Sequence, residues 1–165
     1  MVETLHIPQD ASKEDLYKSL VAQIVALIEH ENNLIANLAN IAAVLDMTFG
    51  HLWTGFYLED DDTLVLGPFQ GPLACTRIPV KPVPRGVCGA AAAEQKTMLV
   101  PDVDKFGGHI ACSSASRSEI VVPLIDNSGK TRLVLDIDSS ELNSFDEIDR
   151  FYCEQIIQMI KDRHY

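Results

Sequence analysis

The chain has 165 residues, of which 47% are hydrophobic, and a formal net charge of −11. This length fits one domain with a core of its own, and the charge excludes nucleic acid as a partner, because no basic stripe is present to displace counterions from phosphates. No apolar stretch approaches the length of a membrane span, and the N-terminus lacks the basic and apolar blocks of a secretory signal. We therefore expect a cytoplasmic protein with a single domain over residues 1–165, of which residues 1–11 form a flexible N-terminal extension.

Two helices are predicted near the start of the chain. Ser12 is suited to cap the first helix, with Asp15 three residues later, and apolar residues then recur on one helical face: Leu16, Leu20, Ile24, Leu27 and Ile28. A second stripe follows a polar break: Leu34, Leu38, Ile41 and Leu45. These faces belong either to the core or to a dimer seam, so a homodimer is one expectation.

From residue 51 the hydrophobic period becomes that of strands. Residues 53–58 predict a strand, residues 59–62 a hairpin turn and residues 63–66 its partner, which Gly67 and Pro68 should break. Prolines then make residues 81–86 a rigid loop, and the alanine-rich residues 87–95 favour a helix.

The end of the chain repeats these two patterns. Residues 120–125 and 132–138 predict strands on either side of a turn, and residues 145–161 predict a last helix. Helices at both ends of an antiparallel meander indicate an α+β fold, with the terminal helices on one face of the sheet.

Alternation along the strands predicts which side chains share a face. Trp53 and Tyr57 share one face of the first strand, and Asp136 and Asp138 share one face of the last. Glu119, at the mouth of a neighbouring strand, can join them. The opposite face of the last strand should pack on helices through Leu133, Leu135 and Ile137. The face away from the helices would then be a pocket with an aromatic wall and an acidic floor.

Such a pocket has definite chemical uses. Adjacent carboxylates repel each other, so one of them would have a raised pKa and could hold a proton for an oxygen leaving group. An ionised carboxylate can bind an ammonium group. Aromatic rings suit a methyl or sulfonium-like centre.

Cys112 is the most informative of the four cysteines. It ends the run Gly107-Gly108-His109-Ile110-Ala111-Cys112, which is a poor setting for a core residue and a good one for presenting sulfur to a ligand. A thiolate there would be a nucleophile, and the glycines would leave backbone amides free for a ligand carboxylate. The alternative is a small buried hydrophobic residue.

The other cysteines leave more alternatives open. Cys75 is either a partner for an oxidised thiol or a packed residue, and Cys88 is either a packed thiol or an accessory resolving thiol. Cys153, in the last helix, is expected in the core. We expect no metal, because a zinc site built from Cys75, Cys88, Cys112 and His109 lacks the usual ligand spacing.

Several segments between about residues 50 and 140 match one known family in order. They are Trp53-Thr54-Gly55-Phe56-Tyr57, Leu66-Gly67-Pro68-Phe69-Gln70-Gly71, Ala74-Cys75, Arg85-Gly86-Val87-Cys88-Gly89, Pro101-Asp102-Val103, Gly108-His109-Ile110-Ala111-Cys112, Ser118-Glu119-Ile120-Val121 and Leu135-Asp136-Ile137-Asp138. The chain resembles the free methionine-(R)-sulfoxide reductases, single-domain enzymes with the GAF fold. It departs from the family pattern in the proline-rich loop 81–84, in an extended turn before Leu133 and at Ser113, and none of these removes a proposed catalytic group.

The resemblance implies a mechanism. Cys112 would attack the sulfoxide sulfur of free methionine-(R)-sulfoxide, while Glu119 and Asp138 polarise or protonate the oxygen. Cys112 would become a sulfenic acid, and Cys75 would condense with it to a disulfide. Thioredoxin would restore the thiols, so no other cofactor is expected.

The resemblance also implies how the substrate is held. Asp136 would bind the ammonium group, and Trp53 and Tyr57 would enclose the methyl end. Two other functions remain open, because one fold serves many functions: a sensor that binds a cyclic nucleotide or another small ligand, and a thiol redox switch without a substrate.

Overall fold

The residues that the structure describes form one six-stranded antiparallel sheet between two layers of helix. The structure, a computed structural model, describes residues 4–107 and 114–165. Within these ranges the helices are α1 (Lys13–Ile28), α2 (Leu34–Phe49), α3 (Gly86–Glu94) and α4 (Glu147–His164), with a short 3-10 helix at Val103–Lys105. The strands are β1 (Trp53–Asp60), β2 (Thr63–Gln70), β3 (Arg77–Pro79), β4 (Met98–Val100), β5 (Ser118–Ile125) and β6 (Thr131–Ser139).

The strand order is β3-β2-β1-β6-β5-β4, and every neighbouring pair is antiparallel. Apolar side chains of α1, α2 and α4 share one core cluster with one face of the sheet, and α3 packs against the other face. The predicted α+β fold, with the terminal helices on one face, is therefore confirmed.

The helices begin where the sequence places caps. The Ser12 side chain accepts a hydrogen bond from the backbone N–H of Asp15, as predicted, and Asn33 caps α2 in the same way. Asp146 begins α4 with a capping box that it shares with Asp149. These caps fix where α1, α2 and α4 begin.

The prediction that Gly67 and Pro68 break the second strand is wrong. Strand β2 continues to Gln70, and its register with β1 shifts between Gly55 and Tyr57, so two residues of β2 lie opposite Phe56. Such a bulge leaves a residue outside the ladder, which suits a proline because it has no N–H to donate. The hairpin turn is correspondingly tighter than predicted, since β1 extends to Asp60.

The core on the helical face includes the three apolar residues expected there from β6, which are Leu133, Leu135 and Ile137, each at most 1% exposed. Tyr17, which the apolar stripe of α1 leaves out, is fully buried and donates a hydrogen bond from its hydroxyl to Asp149 at 2.9 Å. Lys13 pairs with the same carboxylate at 2.6 Å. One network, buried at Tyr17 and Asp149 and partly exposed at Lys13, therefore joins the first helix to the last.

The sequence predicts a flexible N-terminal extension and no membrane span. The backbone N–H of His6 donates to the Gln23 side chain, and Leu5 packs against the helical core, while the flexibility of residues 1–11 stays a prediction. In the ranges described, no helix has the length and apolar character needed to cross a membrane.

Candidate active site

Strand register brings the predicted pocket residues together on the face opposite α1, α2 and α4. Asp138 pairs with Trp53 of β1 on one side and with Glu119 of β5 on the other, and Asp136 lies opposite Gly55. Trp53, Tyr57, Glu119, Asp136 and Asp138 all line one pocket. The expectation that the aromatic and acidic faces meet is therefore confirmed as geometry.

The aromatic wall consists of three stacked rings, of which Trp53 and Tyr57 line the pocket and Phe69 supports Trp53 without lining it. The Trp53 ring lies 5.8 Å from the Tyr57 ring and 5.3 Å from the Phe69 ring, centroid to centroid, at small interplanar angles. The Tyr57 hydroxyl donates to the backbone carbonyl of Cys75 at 3.0 Å. Phe69 was missed by the sequence reasoning, because it lies beyond the proline that was expected to end β2.

Gly55 makes room for this wall, and its replacement gives a first testable prediction. A β-carbon at this position would lie 2.4 Å from Cβ of Phe69 and 2.6 Å from the Trp53 ring, so Gly55→Ala should destabilise the fold by about 1–3 kcal/mol through overpacking. Urea unfolding measures the loss. Gly107→Ala is the matched control, since no described atom lies within 4 Å of its added methyl group, and an equal loss in both variants would contradict the packing argument.

The carboxylates form a buried, mutually repelling cluster. Glu119 and Asp136 are each 6% exposed. Burial, with repulsion from Asp136 and Asp138, raises the pKa of Glu119 well above its usual range. Burial and repulsion from Asp138 raise the pKa of Asp136 as well. A hydrogen bond between the two favours the proton on Glu119, because it raises the pKa of Glu119 and lowers that of Asp136.

Ser116 is a pocket residue that the sequence reasoning missed. Its hydroxyl donates a short hydrogen bond to Oδ1 of Asp138, and its side chain lines the same pocket. Only the path of the loop before β5 brings position 116 to Asp138, so no local pattern could have indicated it.

Cys88 lies on the acidic cluster, at the start of α3. Its thiol is buried and donates to Oε1 of Glu119 at 3.9 Å. Burial, together with the charges of Asp136 and Glu119, raises the pKa of this thiol well above its usual value. It is therefore held as a thiol in these surroundings.

The other three cysteines differ in bonding state, burial and whether the structure describes them. Cys75 is disulfide-bonded, whereas Cys88 and Cys153 are free. Cys153 is fully buried among helical-core residues, as expected, and burial raises its pKa to about 12. Cys112, predicted as the nucleophile, and His109 lie outside the described residues.

Two buried polar atoms of the pocket have no hydrogen-bond partner among the described residues: Nε1 of Trp53 and Oδ1 of Asp136. One is a donor and the other an acceptor, and each is costly to bury alone. The described residues that line this pocket include no lysine, arginine or histidine. The site is thus prepared for a small ligand that carries a cationic donor and an acceptor oxygen.

The buried charge gives a second prediction, on stability. Because the pKa of Asp136 is raised in the folded state, its contribution to stability is fully present below its unfolded pKa and is lost as pH rises through the folded value. Asp136→Asn should therefore be more stable than the wild type at pH 8, by about 1.4 kcal/mol per unit of pKa difference, and the gain should shrink toward pH 4. Urea unfolding across this pH range measures it.

Asp149→Asn is the matched control for that substitution. It alters a carboxylate that is also buried but is paired with Lys13 and Tyr17, so it should lower stability by about 1–3 kcal/mol. A loss of stability at pH 8 in Asp136→Asn as well would show that Asp136 is not a source of repulsion in the folded protein.

Comparison with known proteins agrees with this architecture. A family model described as "GAF domain" matches residues 29–160. The chain is 55% identical to GAF domain-containing protein A of Dictyostelium discoideum, over 97% of this chain and 99% of the relative. It is 44% identical to the free methionine-R-sulfoxide reductase of Escherichia coli, over 91% of this chain and 89% of the relative.

A solved structure extends the match to three dimensions. The free methionine-R-sulfoxide reductase of Neisseria meningitidis, in complex with its substrate, superposes with a TM-score of 0.93 at 49% identity, over 98% of this chain and 95% of that one. The sheet, its helices and the pocket thus define a GAF domain. Within that class, the chain belongs to the free methionine-R-sulfoxide reductase family.

Proposed function

We propose that this protein is an oxidoreductase that reduces free L-methionine-(R)-S-oxide to L-methionine. The observation that carries the proposal is the pocket that combines stacked aromatic rings with a buried carboxyl group, whose surroundings raise its pKa, and an unpartnered carboxylate oxygen. A methyl sulfoxide on an amino acid needs each of these: an apolar wall, a proton donor for oxygen and an anion for its ammonium group. Membership of a reductase family supports the assignment.

In the proposed reaction, the Cys112 thiolate attacks the sulfoxide sulfur while Glu119 gives its proton to the oxygen. The attack forms a bond between the two sulfur atoms. The hydroxyl group then moves from the substrate sulfur to the Cys112 sulfur, the sulfur–oxygen bond and the new sulfur–sulfur bond both break, methionine leaves, and Cys112 becomes a sulfenic acid. Asp138, whose Oδ1 accepts a hydrogen bond from Ser116, would in its protonated form donate a hydrogen bond to the same oxygen and polarise it. The substrate sulfur gains two electrons, and Cys112 loses them.

Two thiols complete the proposed cycle. The Cys75 thiol attacks the sulfenic sulfur, releasing water and forming a disulfide with Cys112, which a thioredoxin dithiol then reduces by exchange. No other cofactor is required, because the electrons come from thiols. A thioredoxin partner agrees with the cytoplasmic location expected from the sequence, and the homodimer expected there stays a prediction.

The carboxylate cluster also accounts for the choice of the free amino acid. Asp136, with one oxygen lacking a partner, would bind the substrate ammonium. A methionine residue within a peptide has an amide in place of that ammonium, so it would leave a buried charge unpaired. Trp53 and Tyr57 would enclose the methyl end.

The test is an incubation of reduced protein with each epimer of free methionine sulfoxide and quantification of methionine. Turnover of the R epimer alone, sustained by thioredoxin, thioredoxin reductase and NADPH, is the expected result. The same assay with an N-acetylated, C-amidated substrate should give little product. No turnover with either epimer, together with tight binding of a cyclic nucleotide, would support the sensor function instead.

A further inference from the structure

A buried cluster of three ligand atoms lies at the floor of the pocket and comes from three different elements. Cys88 on α3, Glu119 on β5 and Asp136 on β6 place a sulfur and two carboxylate oxygens within 4.8 Å of one another. The sulfur lies 3.9 Å from Oε1 of Glu119. All three residues are buried, so their positions are fixed by the packing of α3 on the sheet.

We propose that Cys88, Glu119 and Asp136 form a binding site for one thiophilic divalent cation, represented by Zn²⁺, whose occupancy excludes substrate from the pocket. One thiolate and two carboxylates are a donor set that Zn²⁺ accepts, at about 2.3 Å for sulfur and about 2.0–2.2 Å for oxygen. At those bond lengths tetrahedral ligand atoms lie about 3.3–3.7 Å apart. The ligand atoms lie 3.9 Å apart for Cys88 and Glu119 and at most 4.8 Å apart for any pair, so rotation of the side chains would have to bring them closer by up to about 1.5 Å.

Charge and hydrogen bonding favour a cation at this position. One oxygen of Asp136, a residue 6% exposed, has no hydrogen-bond partner in the described part of the chain. The described residues that line the pocket supply no basic side chain. The cluster therefore holds more acid groups than it can pair, and a divalent cation would neutralise two negative charges in low dielectric.

Proton balance gives the proposed site a defined pH dependence. Cys88 and Glu119 must each lose a proton to become ligands, so the binding of one Zn²⁺ releases up to two protons to solvent. Apparent affinity should then rise with pH. Asp138 and Tyr57 also line the pocket, and an ionised Asp138 would favour the cation.

Mutual exclusion with the substrate rests on the proposed function. The substrate ammonium and the cation would share the Asp136 carboxylate, and a metal-bound Glu119 has no proton to give. Zn²⁺ would thus act as an inhibitor that competes for the pocket. A three-residue site with an open fourth position also suits release of the ion, since one ligand position is not supplied by the protein.

The test uses the oxidised protein, in which Cys75 is disulfide-bonded and Cys88 and Cys153 are free. Zn²⁺ is titrated against a chromogenic chelator, and Co²⁺ serves as a spectroscopic probe for thiolate ligation. We expect one ion per chain and a sulfur-to-cobalt charge-transfer band. Cys88→Ser should lose the band and weaken Zn²⁺ binding at least tenfold, and Asp136→Asn should weaken it similarly. Cys153→Ser is the matched control and should bind as the wild type does.

Three results would overturn the site: no stoichiometric binding by the wild type, an unchanged cobalt band in Cys88→Ser, or equal weakening in Cys153→Ser. Circular dichroism of each variant checks that a loss of binding is not a loss of fold. In a separate arm, free methionine-(R)-sulfoxide, which the oxidised protein cannot reduce, should raise the apparent Kd for Zn²⁺. If the sulfoxide does not change the apparent Kd while Zn²⁺ still binds as expected, the proposed substrate pocket is contradicted and the metal site is not.

Discussion

Replacement of Glu119 by glutamine is expected to lower kcat/KM for free methionine-(R)-sulfoxide by about 10²–10⁴-fold, the usual contribution of a positioned proton donor. Glutamine keeps the size of the side chain and can still donate a hydrogen bond, but it cannot release a proton. The raised pKa of Glu119 keeps its carboxyl group protonated well above the usual range for a carboxylic acid. Initial rates of methionine formation across pH measure the effect.

The pH profile separates this role from a structural one. In the wild type, kcat/KM should fall at alkaline pH as Glu119 loses its proton, and the variant should lack that fall. Glu154→Gln is the matched control, because Glu154 is an exposed carboxylate on α4 that contacts Thr97 outside the pocket. A variant with wild-type turnover and an unchanged alkaline limb would assign the proton to another group, with Asp138 the nearest alternative.

The sequence predicted the two sides of this site because they depend on a local rule. Side chains in a strand alternate with period two, so Trp53 with Tyr57, and Asp136 with Asp138, could each be assigned to one face without a structure. The two faces coincide because β1 pairs with β6, a strand about eighty residues further along the chain. Alternation within a strand does not determine which strands pair.

Other features of the site depend on contacts that no local pattern contains. Ser116 reaches Asp138 through the course of a loop, and Phe69 joins the aromatic wall only because a bulge carries β2 past Pro68. Cys88 meets the acidic cluster because α3 packs on the sheet face that the sequence left open for a ligand. The sequence therefore predicted which residue types form the site, and tertiary packing determines which of them touch.

The thiols give the prediction with the largest effect. Cys112→Ser should abolish methionine release, because a serine hydroxyl at neutral pH is not ionised and does not replace a thiolate as nucleophile toward sulfur. Cys75→Ser should still release about one methionine per chain and then stall with thioredoxin as the reductant, because the sulfenic acid forms but has no resolving thiol. Single-turnover and steady-state assays of methionine measure the two results. Cys153→Ser, which alters a thiol in the helical core, is the control.

The surroundings of Cys88 bear on the predicted stall of Cys75→Ser, because Cys88 is the other thiol that could resolve the sulfenic acid. Its thiol is buried against Glu119, and the surrounding acid groups raise its pKa, so only a very small fraction is thiolate at neutral pH. Because thiol exchange requires the thiolate, Cys88 should be a slow substitute for Cys75, and the stall in Cys75→Ser should be pronounced. Thioredoxin-driven turnover of Cys75→Ser at the wild-type rate would contradict this argument. It would mean that Cys88 leaves the acidic cluster during the cycle, and the double variant Cys75→Ser/Cys88→Ser should then stop after a single turnover.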